Sequence, residues 1–140
     1  MNYKFIYALK IDLPLTNGNT GRGNQWYSTA KERKKFEALL REITTPDPET
    51  YLDYLNDLPF EFPVGLRITR VLGRKQRLWD ADSIGRGNAK ELVDAIVAVG
   101  FLHDDGPRYV KHVEYQQIAQ TVRPKFPYIL VEFFKYDEKD

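Results

Sequence analysis

The sequence predicts an α+β domain of two layers, a mixed β-sheet with two main helices packed on it in the order β-α-β-α-β-β. Three observations point there. Short apolar runs bounded by Pro and Gly mark four strands, apolar residues at helical spacing mark two longer segments, and the two kinds of segment interleave along the chain. With 140 residues there is length for one core and not for two ordinary domains, so a single domain over 1–140 is expected.

The first strand is read at 3–13, where Phe5, Ile6, Tyr7, Leu9, Ile11 and Leu13 precede Pro14. The Asn- and Gly-rich stretch 16–24 has turn chemistry and reads as a loop, with Asn17, Asn19, Arg22 and Asn24 either facing a ligand or solvent. Ser28 or Thr29 can cap a helix that runs to about Ile43. Phe36, Leu39, Leu40 and Ile43 make its apolar stripe, and Lys31, Arg33, Lys34, Lys35 and Arg41 surround it. The Pro- and acid-rich 44–59 is a connection, with a short helix at 49–55, before a second strand at 62–71.

The second helix has the clearest signals. Asn88 followed by Glu91 has the capping-box spacing, Leu92, Val93, Ile96 and Val99 form the apolar stripe, and Gly100 stands where a left-handed terminator belongs. Asp104-Asp105-Gly106-Pro107 is a turn, and strands at 109–119 and 128–136 close the chain around a turn holding Pro124 and Pro127.

Composition narrows the chemistry. Hydrophobic residues at 42% and charged residues at 29% describe a packed, water-exposed globule. No apolar run approaches the ~20 residues that span a bilayer, and the start lacks the layout of a signal peptide, so a cytoplasmic protein without a membrane partner is expected. With no cysteine and two histidines, any metal must be held by oxygen. Charge is also segregated: residues 67–90 carry seven cations against two acids, whereas the six charges of residues 42–61 are all negative.

The two acids in the positive stretch are Asp80 and Asp82, and Asp104-Asp105 follows the second helix. Two aspartates one residue apart can aim both carboxylates at one hard divalent cation. Alone, such a pair is equally a solvated turn. Acids inside a basic stretch are poorly suited to meeting phosphates unless a cation intervenes, and metal-assisted phosphodiester hydrolysis uses that layout.

Three ordered segments carry a resemblance: Arg74-Lys75-Gln76-Arg77-Leu78-Trp79-Asp80-Ala81-Asp82, Lys90-Glu91-Leu92-Val93-Asp94-Ala95-Ile96, and Gly100-Phe101-Leu102-His103-Asp104-Asp105. Together they resemble the RusA family of Holliday-junction resolvases, which has a basic run into D-x-D-N, a helix with K-x-x-x-D-A-[LI], and a closing G-x-[ILVF]-x-D-D. Each motif is weak; in order they are specific, and the resemblance covers most of the chain. It implies a bacterial or phage-encoded, Mg²⁺-dependent (or Mn²⁺-dependent) homodimer that cuts four-way junctions and other branched DNA by paired nicks. It places metal ligands at Asp80, Asp82 and Asp105, with Asp104 beside the last, and an active-site lysine at Lys90. Arg74, Lys75, Arg77 and Arg86, with the first-helix lysines, would hold the DNA backbone. Trp79 would be site wall or a stacking surface, and His103 a turn residue or a proton carrier.

Two departures stand out. Ser83 replaces the asparagine after D-x-D, and about four residues around Gly85-Arg86-Gly87-Asn88 lengthen the link to Lys90, with Asn88 available to replace the lost amide. Asp105 also lies beyond the helix from Asp80 and Asp82. Convergence therefore needs either the link to double back or a second subunit. A catalytically silent module that binds branched DNA is the alternative, and a third class is a metal-diphosphate enzyme using D-x-D, which the absence of a Gly-rich nucleotide motif disfavours.

Overall fold

The computed structural model describes residues 2–16, 25–43, 58–78 and 87–137. Its elements are β1 (Asn2–Ile11), α1 (Gln25–Ile43), β2 (Val64–Val71), α2 (Ala89–Val99), β3 (Val110–Ile118) and β4 (Tyr128–Asp137). The expected order of elements and the α+β class hold.

The four strands form one mixed sheet in the order β1-β4-β2-β3. β4 is antiparallel to both neighbours, and β2 and β3 are parallel. A parallel pair needs a crossover, which α2 supplies. Pairing sets which residues share a face: Leu9, Val131 and Ile68 fall in one row and Ile11 and Ile129 in the next, all fully buried or nearly so. With them in the core are Phe36 and Leu40 of α1, Leu92, Ala95 and Ile96 of α2, and Phe101. Each fully buried Leu, Ile or Phe contributes about 1.5–3 kcal/mol over exposure, so this one-sided core is the main force holding both helices to the same face.

α1 starts at Gln25, three residues before the earlier of its two expected caps, so Ser28 and Thr29 lie inside the helix. Cap signals are outweighed where tertiary packing supports further turns. α2 ends as its sequence indicates. Gly100 takes φ 104°, its N–H donates to the Val97 carbonyl, and the Phe101 N–H donates to Ile96, closing a Schellman motif. The start of α2 departs from expectation: Asn88 occupies the N-cap position with no side-chain cap bond. The expected helix at 49–55 and the 17–24 loop lie outside the described residues.

Candidate active site

The segment leading toward Asp80 leaves the carboxyl end of β2 and is held at several points. The Leu72 N–H donates to Ile118, and a turn at Gly73–Gln76 is closed by the Gln76 N–H on the Gly73 carbonyl (3.2 Å). The Arg74 N–H donates to the Pro124 carbonyl (3.1 Å), and Arg123 donates to the Gln76 carbonyl (2.7 Å). Arg70 then donates through Nη1 to the next carbonyl, Arg77 (2.8 Å), and to Gln117 Oε1 (3.1 Å). Two guanidinium groups thus hold consecutive carbonyls of one strap, while the side chains of Arg74, Lys75 and Arg77 remain exposed.

Pairing and burial divide the cations of the 67–90 stretch. Arg70 is 2% exposed, and desolvation lowers its pKa from the usual arginine value, although a guanidinium remains charged at neutral pH. Arg67 projects from the sheet face opposite the helices between Glu114 (3.5 Å) and Glu132 (3.7 Å), with the Phe134 ring 5.0 Å away. It borders a cavity of about 270 Å³ also lined by Tyr3, His112 and Glu114. Neither Arg67 nor Arg70 presents its charge to solvent as the exposed strap residues do. On α1, Arg33 and Arg41 both pair with Glu37, whereas Lys31 and Lys34 are exposed.

Trp79, Asp80, Asp82, Ser83 and Arg86 lie outside the described residues. The chain is described again at Gly87, where it meets the end of the β1 segment. Asn88 is 4% exposed; its Oδ1 accepts the Thr16 N–H (2.8 Å), and its Nδ2 donates to the Pro14 carbonyl (3.3 Å) and toward Glu32 (3.5 Å). Its own N–H donates to Thr16 Oγ1 (3.0 Å). A Cβ at Gly87 would run into the Thr16 carbonyl, so only glycine allows this approach. The Asn88 amide is therefore committed to structure, which corrects the expectation that it could replace the asparagine missing after Asp82.

Lys90 is exposed on the first turn of α2, at the carboxyl end of β2, and forms no ion pair with Asp94. Asp105 lies beyond the other end of α2. The helix has 11 residues, a length of about 16 Å at 1.5 Å per residue. The 101–109 segment runs toward the start of β2, with the Val64 N–H donating to the Tyr109 carbonyl. Lys90 and Asp105 are thus not brought together within one chain. Asp104 Oδ1 accepts the Asp105 N–H (2.8 Å), and both acids are exposed. His103 Nε2 lies 3.1 Å from Glu61 and its ring 5.2 Å from that of Tyr109, at the Asp105 end of α2 rather than the Lys90 end. Among the described residues no three His, Asp or Glu side chains gather to hold a cation, and two of the three expected ligands are not among them.

Sequence reading missed Arg123 as a support of the strap and Thr16 as the partner of Asn88. No local pattern announces either, since each acts on a residue 47 or more positions away. No helix among the described residues is long and apolar enough to cross a membrane. Searched against models of known families and against curated proteins, the chain matches none.

Proposed function

We propose that this chain is a Mg²⁺-dependent endodeoxyribonuclease of RusA type, a homodimer that resolves four-way and other branched DNA by paired phosphodiester nicks in recombination and repair. The observation that carries this reading is the strap. It is a backbone-anchored, acid-free run with Arg74, Lys75 and Arg77 exposed, and its chain continues directly into Asp80-Ala81-Asp82. Cations beside a carboxylate pair suit a phosphodiester whose charge a divalent ion must bridge to the acids. Carboxylates without thiolates are the donor set that Mg²⁺ prefers, and Mn²⁺ accepts the same oxygens. In this reading Asp80, Asp82 and Asp105 would hold the ion, and its chemistry there would be activation of a water and charge stabilisation at the leaving oxygen. Lys90 offsets phosphate charge or orients the water, and Arg86 binds the DNA backbone.

A second reading is a branched-DNA-binding module without catalysis. It draws support from Asn88, whose amide is occupied by Thr16 and Pro14, so Ser83 has no evident substitute for the family's asparagine. Incubating the protein with a labelled four-way junction and a matched duplex, with and without Mg²⁺, separates the two. Symmetric Mg²⁺-dependent nicks in the junction, abolished in Asp82→Asn with junction binding retained, support the nuclease. Binding without nicks selects the module, and cleavage at the wild-type rate by Asp82→Asn rejects the assignment of the site.

A further inference from the structure

The β3–β4 connection at 119–127 lies against the strap, joined to it by the bonds from Arg74 to Pro124 and from Arg123 to Gln76. The two segments, 72–78 and 119–127, contain Arg74, Lys75, Arg77, Arg123 and Lys125 and not one acid. On this basic surface stand three of the six large apolar side chains exposed among the described residues: Leu78 (62%), Val122 (83%) and Phe126 (71%). Lys125 Nζ lies 5.4 Å from the centre of the Phe126 ring. Pro124 and Pro127 restrict the backbone on both sides of Phe126, so the ring is presented from a constrained loop.

Single exposed apolar residues are ordinary on protein surfaces. An exposed aromatic ring on two adjoining segments that carry five cations and no acid is a more specific combination. Duplex phosphates are satisfied by the cations alone, and in an intact duplex the base faces are covered by their neighbours. A ring adds binding energy where a base has no stacking partner, as in single strands and at steps opened by an apolar wedge. A branch point supplies such bases next to closely spaced phosphates.

We infer that Phe126 is a stacking wedge for an unstacked base at a DNA branch point, with Val122 and Leu78 as further exposed apolar side chains of the same two segments and Arg74, Lys75, Arg77 and Lys125 holding the adjoining phosphates. The inference rests on the nuclease or branched-DNA-binding reading above and gives it a source of structure selectivity outside the acids. Phe126 reads the opened base; the strap carries the neighbouring backbone toward Asp80.

The test compares the full chain with Phe126→Ala and Phe126→Trp on a four-way junction and on a duplex of the same arm sequence, with Ca²⁺ replacing Mg²⁺. A fluorescent adenine analogue is placed either at the branch point or in mid-arm. An exposed side chain can be truncated with little effect on folding, and urea unfolding verifies this. Phe126→Ala is expected to weaken junction binding by about 5- to 150-fold, the range for removal of one base–aromatic stack. Duplex affinity stays at the wild-type value, Phe126→Trp restores junction binding, and the branch-point probe responds to wild type but not to Phe126→Ala. Equal weakening on junction and duplex, or none on either, overturns the wedge while leaving the nuclease reading intact if wild type still nicks junctions. Absence of wild-type binding to both DNAs, with binding to anionic lipid vesicles instead, overturns both.

Discussion

Asn88 and Thr16 hold each other through two reciprocal hydrogen bonds, the Thr16 N–H on Asn88 Oδ1 at 2.8 Å and the Asn88 N–H on Thr16 Oγ1 at 3.0 Å. The pair ties the segment after β1 to the start of α2 across 72 positions of sequence. It sets where the first turn of α2, and with it Lys90, meets the carboxyl ends of β1 and β2.

Asn88→Ala removes an amide that serves Thr16 and Pro14 and leaves their backbone groups without these partners. The expected cost is about 1–3 kcal/mol, read from the urea unfolding midpoint. Thr16→Val costs less, because it removes one of the two bonds, and a double-mutant cycle gives a coupling energy above about 0.5 kcal/mol. Strict additivity would show that the two residues act independently.

Neutralising Arg74, Lys75 and Arg77 together as glutamines should flatten the dependence of log K on log salt for duplex DNA, by about 0.9 for each phosphate that the protein ceases to neutralise. Arg67→Gln is the control. Its charge already lies between Glu114 and Glu132, so the slope stays at the wild-type value. A fall for Arg67→Gln equal to that of one strap residue would place the DNA on the opposite face of the sheet.

Mixing Asp82→Asn with Asp105→Asn protein tests how the third acid reaches the other two. Asp105 and Lys90 stand at opposite ends of α2, so the homodimer proposal expects Asp105 of one subunit to serve the acid pair of the other. A mixed dimer then contains one intact site, and single-strand nicking returns on mixing. If each subunit supplies all three acids itself, both sites in the mixed dimer are defective and nicking stays absent.

Alkaline stability follows from three tyrosines whose pKa is raised above 10.0. Burial is the first cause at Tyr3, Tyr7 and Tyr115, and the neighbouring Tyr136 adds to it at Tyr3. The folded state holds these protons more tightly than the unfolded state, so their contribution is complete below pH 10 and is lost as pH rises through the folded values. The urea midpoint should therefore decline above pH 10. Replacing the three tyrosines by Phe should reduce that decline. Tyr3→Phe alone, which removes a buried hydroxyl without a protein partner, should leave neutral-pH stability unchanged or higher.

The strands are legible in the sequence because alternation reports burial on one sheet face, and the end of α2 because Gly100 is suited to its left-handed turn. The start of α2 is not: Asn88 followed by Glu91 has capping-box spacing, but Thr16 and Pro14 compete for the same amide from a distant part of the chain. The basic stretch misleads for a related reason. In sequence its seven cations form one group, whereas strand pairing sets Arg67 against two glutamates and packing buries Arg70.

The sequence by itself determined the order of the elements, the apolar side of each, and the lack of thiolate ligands for any metal, because periodicity and composition are local properties. Only the tertiary structure decided which charges face solvent and which segments adjoin. Arg123 supports the strap from 47 positions away, and the parallel pairing of β2 with β3 brings their carboxyl ends, and the segments that leave them, to the same end of the sheet. Burial and charge pairing depend on neighbours in space, which spacing along the chain does not encode.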